Sequence, residues 1–494
     1  MSIYRVGLCL CICLFFADFN NASAAERTGS PLKVQVDMAH QSGKPVSPNL
    51  FGANLLFWID DDVFLANPAL RTGLQQAGIR LLRFPGGTVA DNYLWKENRL
   101  VRRDRFPYED GDQTTDWREF IAFAKAINAE PVLVVNTETF VRDGRVQEGA
   151  AYAAEWVRAC NVEGNYKVTY WEIGNETYWH ETMTAKEYAR VVRIYAEAMR
   201  AVDPNIKLGV NGHWNVKMVG SKERIHPGAL AEIAEQNRLY SGREGGGVYK
   251  ALVDKNSEKD IMAGDEKWWP TVIAGCGDAA DFLIIHCYFT HGSSLLGLDL
   301  NLQAVRHLYQ KTWPGRPVDL AMTEYNAVAK YDENKDGKSY ATGLADSVIQ
   351  MLRAEVEMAM FWPLRISGDW NGRALMNRST MQPKIATSVL SLFSQTAGKH
   401  TAPVTGTRGE IMGVAAFGKD DWSLYFSDFG LKTTRNIQVQ LPQKWNALRA
   451  EAYSENESGK KSVLNGEAVK MIQTGQTLLI AMRPNTIIKV NGDK

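Results

Sequence analysis

The chain of 494 residues carries 56 Lys+Arg against 56 Asp+Glu, with 45% hydrophobic and 10% aromatic residues. That balance excludes an intrinsically disordered chain, which needs low hydrophobicity and high net charge. A formal charge of zero also supplies no basic field for a polyphosphate, which argues against nucleic acid as a partner.

At the start, Arg5 precedes the apolar run 6–17, and the small-residue site Ala22-Ser23-Ala24 follows. Residues 1–24 read as a secretory signal peptide, placing the mature protein outside the cell or in a periplasm. The run is too short for a bilayer core about 30 Å thick, so no membrane partner is expected. After cleavage only Cys160, Cys276 and Cys287 remain. Three cysteines make no disulfide framework, and they read as small buried apolar side chains.

Next, residues 25–48 contain LKVQVDMA (32–39), which alternates as a strand does and is expected to join a C-terminal sandwich. From 49 to 395, short apolar runs alternate with segments of helical period. Eight strand-like runs fall at 49–58, 79–87, 130–138, 168–176, 206–212, 282–289, 318–326 and 358–364. Helices are expected at 117–128, 185–202 and 341–358, where apolar residues recur at three and four positions. The pattern predicts an α/β fold, a (β/α)8 TIM barrel. A doubly wound sheet would need a glycine-rich turn after its first strand, and LLFWIDDD has none. The segment 213–281 is the largest insertion, with an exposed, glycine-rich centre.

From 396 to 494 the rhythm changes to short strands with no room for helices, which predicts an accessory antiparallel β-sandwich. Its expected task is to cover apolar barrel surface. Asp332, Asn334 and Asp336 before Gly337 alternate like the start of a calcium loop, but Gly343 stands where such a loop wants a bidentate Glu, so a solvated polar loop is the reading taken. Histidines show no zinc spacing, and no Gly-x-Ser-x-Gly occurs. No metal and no cofactor is expected, and nothing specifies an oligomeric state.

Catalytic groups of such a barrel lie at the C-terminal ends of its strands. The fourth run ends in Asn175-Glu176 and the seventh in Glu324-Tyr325-Asn326, with His286 and Tyr288 ending the sixth between them. A lone strand-end Glu is more often structural; two, each beside an Asn, can supply the pair of carboxyls that retaining glycoside hydrolysis requires about 5 to 5.5 Å apart. A tyrosine hydroxyl can keep one ionised, and a drier aromatic wall can raise the pKa of the other for use as an acid.

WEIGNE, IIHCY and TEYN resemble the retaining glycoside hydrolases of clan A, and FGANLLFW with RFPGG, Tyr93 and Trp95 is similar to the family 51 alpha-L-arabinofuranosidases and the related families 39 and 79. The resemblance covers most of the chain. It implies Glu176 as acid/base, Glu324 as nucleophile, Asn175 as donor to the sugar 2-hydroxyl, Tyr288 as support of the nucleophile, and His286 and Arg83 as polar groups of the site. Family 51 enzymes usually carry a Glu in the first-strand loop, whereas this chain has Asn54-Leu55-Leu56-Phe57-Trp58.

Sugars stack their C–H faces on flat rings, and Trp58, Trp95, Trp171, Trp179, Trp214, Trp362 and Trp370 all fall near strand ends. Trp362 is the best platform, with Trp58, Trp95 and Trp179 lining flanking positions and Trp171 facing the helices. The expected partner is a carbohydrate with an equatorial glycosidic bond, cleaved by double displacement. A noncatalytic carbohydrate-binding protein and a polysaccharide lyase are the alternatives.

Overall fold

The computed structural model describes residues 30–101, 114–180, 182–213, 268–289, 297–328, 339–366, 373–406, 410–428, 430–442, 445–455 and 464–494. The expected signal peptide, the centre of the insertion, the loop at 332–337, Trp214 and Trp370 lie outside these residues.

Eight strands close into a barrel, in spatial order Asp319–Ala327, Met358–Phe361, Gly52–Asn54, Leu81–Phe84, Glu130–Val135, Tyr170–Ile173, Lys207–His213 and Phe282–Phe289. Each neighbouring pair is parallel. Each of the eight expected runs matches one of these strands, six containing it whole and those at 206–212 and 318–326 ending one residue short of it. Successive strand residues point to opposite faces, so one set fills the interior and the other meets the helices. Leu81, Val132, Phe282, Ile284, Ala321, Met358 and Met360 pack inside the barrel against Tyr170. Their chain neighbours Leu82, Leu133, Leu283 and Ile285 join the larger core under the helices. Gly209 keeps this interior open, because a Cβ there would stand 2.1 Å from the Phe282 ring.

The helices form where capping and period agree. Trp117–Ala126 and Ala185–Arg200 each begin with a capping box, Asp116 with Glu119 and Thr184 with Glu187. Ala185–Arg200 buries Tyr188, Val191, Val192, Tyr195 and Met199 on one stripe. The helix expected at 341–358 is Tyr340–Arg353; the chain then turns through Glu355 at φ 53° into the eighth strand.

After the barrel, ten strands form one sheet that includes Leu32–Val36 near the N-terminus. This strand pairs antiparallel with His400–Thr405 and parallel with Arg435–Gln440. The sheet is therefore largely antiparallel, with one parallel seam that the turn-rich pattern did not indicate. His400–Thr405 was not expected either, since Pro403 interrupts its pattern. Ile411–Phe417 is buried on both faces. Ile411, Ala415 and Phe417 enter the sandwich core, whereas Met412, Val414 and Ala416 join the barrel's core. Arg353 ties the two further, donating from Nη1 to Val404 O at 3.1 Å while its Nε holds Asp299 Oδ2 at 3.1 Å.

Candidate active site

Period-two alternation carries Arg83, Glu172, His286 and Tyr288 inward above the apolar interior layer. Arg83 is fully buried and makes four directed hydrogen bonds. Its Nε donates to Glu172 Oε2 at 2.8 Å, and Nη1 donates to Glu324 Oε1 at 2.7 Å and to Asn54 Oδ1 at 3.0 Å. Nη2 donates to Asn175 Oδ1 at 2.8 Å. One guanidinium thus joins the first, second, fourth and seventh strands. Burial disfavours its charge, but Glu172 and Glu324 more than offset this and hold it firmly protonated.

Glu324 reaches the same point through a break in register. Pairing of the seventh strand with the sixth shifts between Ala321 and Glu324, so Ala321 and Glu324 both face inward although three positions apart. Glu324 Oε2 accepts the Tyr288 hydroxyl at 2.5 Å. Gly87 lies directly against this carboxylate: a Cβ there would stand 2.8 Å from Glu324 Oε1 and 3.2 Å from the Trp362 ring.

Glu176 sits at φ 41°, ψ 35°, a left-handed backbone that a non-glycine residue holds only when its surroundings impose it. Asn211 imposes it here. Its Nδ2 donates to Ile173 O at 3.2 Å and Gly174 O at 3.1 Å, and its Oδ1 accepts from Thr177 N at 3.0 Å. Glu176 Oε1 then lies 3.0 Å from His286 Nδ1, whose other nitrogen, Nε2, is 2.9 Å from Thr323 Oγ1. The Glu324 side chain is 5% exposed and that of Glu176 is 23% exposed, so Glu176 is the carboxyl nearer solvent.

Burial pushes the Glu176 carboxyl up, but the His286 hydrogen bond and the charges of His286, Arg83 and His180 leave it below the usual carboxylate value. Burial pushes the His286 imidazole down, and Glu324 and Glu176 more than reverse this. The raised pKa that a drier aromatic wall would give the acid is thus not found in the free site, because His286 Nδ1 stands 3.0 Å from Glu176 and favours its ionised form. Burial raises Glu172, against the pull of Arg83.

Oxygens of Glu176 and Glu324 and a nitrogen of His286 lie within 4.8 Å of one another, a spacing that could also hold a cation. The Arg83 guanidinium on Glu324 opposes one there.

Of the aromatic candidates, Trp362 is half-buried beside Gly87, and Trp58 is half-buried after the first strand. Trp95 is a correction. It stacks on Trp156 at 5.8 Å and 6°, and its Nε1 donates to Tyr152 O at 3.1 Å, so it belongs to an aromatic wall between barrel and helices. Trp171 faces the same wall, and Trp179 packs on His213 with centroids 4.8 Å apart.

Sequence reasoning passed over Glu172, Asn54 and Asn211. Glu172 was legible, two residues inward of Gly174 on an alternating strand. Asn54 was not: its Nδ2 donates to Thr323 O at 2.8 Å and lies 3.3 Å from both Met360 O and Phe361 O, on the seventh and eighth strands, which come beside the first only when the barrel closes.

A model of the alpha-L-arabinofuranosidase 1 domain matches residues 73–229, the stretch that holds Arg83, Asn175, Glu176 and Asn211. The chain is similar to family 51 alpha-L-arabinofuranosidases. Alpha-L-arabinofuranosidase C of Emericella nidulans is 29% identical over 160 residues, covering 27% of this chain and 30% of that protein. The intracellular exo-alpha-(1->5)-L-arabinofuranosidase of Acetivibrio thermocellus is 27% identical over 161 residues, again 27% of this chain and 30% of that protein. The match thus spans under a third of these relatives' length. Among solved structures, a family 51 alpha-L-arabinofuranosidase from Bifidobacterium longum covers 94% of this chain and 100% of its own, with TM-score 0.66 and 15% identity. The family 51 arabinofuranosidase from Xanthomonas axonopodis pv. citri gives TM-score 0.66 and 15% identity over 93% of this chain and 99% of its own. These likenesses establish a shared barrel-plus-sandwich fold.

Proposed function

We propose that the chain is a retaining glycoside hydrolase of the arabinofuranosidase kind, acting on an equatorial glycosidic bond of an oligo- or polysaccharide. The observation that carries this reading is the pair of carboxylates at the mouth, with oxygens within 4.8 Å across His286. Retaining enzymes need carboxyls about 5 to 5.5 Å apart, whereas inverting enzymes leave about 6.5 to 9.5 Å for a water.

In this reading Glu324 Oε attacks the anomeric carbon. Arg83 and Tyr288 hold its two oxygens apart and keep one lone pair aimed at the sugar. The leaving oxygen takes its proton from Glu176, which has drawn it from His286 Nδ1, so the Glu176 carboxylate is left ionised for the second step and the proton taken from water there resets the pair. Glu176 then removes a proton from water, which attacks the glycosyl ester and frees Glu324. Arg83 holds Asn175 by its Oδ1, leaving Nδ2 buried without a partner among the described residues and ready to donate to a sugar hydroxyl. Nothing favours the binding-protein or lyase readings, since both carboxylates are present and ordered for displacement.

The first-strand loop bears on the sugar. Leu55, Leu56 and Phe57 are fully buried and Asn54 is committed to the barrel, so residues 54–57, directly after the first strand, offer the glycone no carboxylate. The substrate therefore need not be an arabinofuranoside, and xylosides, galactosides and glucosides belong in the same screen.

The test is hydrolysis of a panel of 4-nitrophenyl glycosides, with product anomers followed by NMR. Net retention, and loss of turnover in a folded Glu324→Gln variant, are expected. Inversion, or full activity of that variant, would sink the reading. Glu176→Ala should lose about 10² to 10⁴ in rate on poor leaving groups and little in glycosylation by good ones.

We further propose export, supported by the signal-like residues 1–24. Sequencing the mature N-terminus from medium or periplasm tests this, with cleavage after Ala24 expected and an intact Met1 inside the cell contradicting it.

A further inference from the structure

Beside Glu176 lies a second buried polar cluster that the displacement chemistry does not use. Asp91, in the turn after the second barrel strand, is 2% exposed, and its Oδ2 lies 3.2 Å from His180 Nε2. Glu138 opens the short helix Glu138–Arg142, is 8% exposed, and takes the Thr182 hydroxyl on Oε1. Thr139 Oγ1 donates to the Asp91 backbone oxygen at 2.8 Å and joins the two. His180 faces both carboxylates and Glu176: burial pulls its pKa down, and these three push it up to about 9.

The cluster leaves several polar atoms unpaired, and the 3.2 Å approach of His180 Nε2 to Asp91 Oδ2 is an ion pair without hydrogen-bond geometry. Asp91 Oδ1, Glu138 Oε2 and, next in the chain, Asn92 Oδ1 are buried acceptors with no hydrogen-bond partner among the described residues. Buried polar atoms are nearly always satisfied, so these bonds call for donors beyond the described residues. Sugar hydroxyls are donors of the right kind, and one polyol can serve several acceptors at once. A sugar carboxylate or sulfate would instead bring a negative charge against the carboxylates of Asp91, Glu138 and Glu176, which outnumber the one cation, His180, at a cost of low-dielectric repulsion. The His180 side chain, 25% exposed, is the open side of the cluster.

We propose that Asp91, Glu138 and His180 form a sugar subsite next to Glu176 that takes the hydroxyl groups of a neutral sugar residue and rejects uronic acids and other anionic sugars. This rests on the glycoside hydrolase reading above and names the substrate class of that site.

Calorimetric titration of wild type, Asp91→Asn and Glu138→Gln with L-arabinose, D-xylose, D-galactose and D-glucose, and with D-galacturonate and D-glucuronate, tests it. At least one neutral sugar should bind wild type, with both uronates about tenfold weaker or more. Each variant, with circular dichroism as wild type, should weaken that binding at least about tenfold, as loss of a bond to a charged acceptor does, and narrow the gap to the uronates. Neutral-sugar affinities within about twofold of wild type in both variants would overturn the subsite, as would uronates binding wild type equally well. Failure of every neutral sugar to bind would also overturn it, leaving ordered water as the occupant. Aryl glycoside hydrolysis separates this from the parent reading. Turnover with unchanged KM in both variants removes the subsite and keeps the hydrolase, whereas sugar binding that depends on Asp91 in a protein with no turnover does the reverse.

Discussion

Arg83 Nη1 donates to Glu324 Oε1 at 2.7 Å, with both side chains buried at the mouth of the barrel. The carboxylate proposed as nucleophile is therefore aimed by a cation that itself has no freedom: Glu172, Asn54 and Asn175 occupy its remaining directions. A guanidinium fork suits this task because its donors are planar and rigid. Arg83→Lys would keep the charge and lose the aim.

The proton shared by His286 and Glu176 should be visible in the pH profile. His286 titrates above its ordinary 6.5, so the pair keeps its proton as pH rises until that raised value is passed. The alkaline limb of kcat/KM is therefore expected above the ordinary imidazole range. In His286→Gln, the limb becomes the titration of Glu176 alone and moves to lower pH. An alkaline limb unmoved by that substitution would show that the pair does not hold the working proton.

Gly87→Ala should damage catalysis without damaging the fold. Its added Cβ would stand 2.8 Å from Glu324 Oε1, closer than real contacts allow, so the carboxylate must shift. Misplacement of a reacting group by about 1 Å costs on the order of 10² in rate. The expected outcome is a fall of that size in kcat with thermal stability near wild type.

Asn54→Asp tests the first-strand anchor. It puts a carboxylate oxygen where Nδ2 now faces the carbonyls of Thr323, Met360 and Phe361. Leaving buried groups unsatisfied costs about 1–3 kcal/mol, and more when a charge is added. Urea denaturation should show a loss of at least that size, and a loss below about 0.5 kcal/mol would remove Asn54 from its role.

The two tryptophans should part company. Trp95→Ala removes a ring stacked on Trp156 and is expected to cost about 3–5 kcal/mol of stability with KM little changed. Trp362→Ala, beside Gly87 and Glu324, should raise KM with a smaller loss of stability. The reverse pattern would restore Trp95 as a substrate platform.

These contrasts mark how far the residues could be read in advance. Apolar runs ending in Glu176 and Glu324 were visible because a buried parallel strand needs a continuous apolar run and a barrel displays the residues at its strand ends. Trp95 was misplaced because aromatic composition is the same for a sugar platform and a core wall. The altered register before Glu324 leaves no mark in TEYN, since a bulge is an adjustment between neighbouring strands. The pairing of Glu176 with His286 at 3.0 Å is not legible either, because it depends on two strands that come together only in the barrel.

By itself, the sequence determined which residues could be strands and helices, that eight strand units precede a sheet-rich end, and which carboxylates stand at strand ends. Those are consequences of period and local propensity, which neighbours along the chain decide. Tertiary structure decided which carboxylate is gripped by Arg83 and which is paired with His286, and that Asn54 faces the barrel and not the sugar. These outcomes depend on atoms far apart in the chain coming within hydrogen-bond reach, where charge and desolvation act strongly.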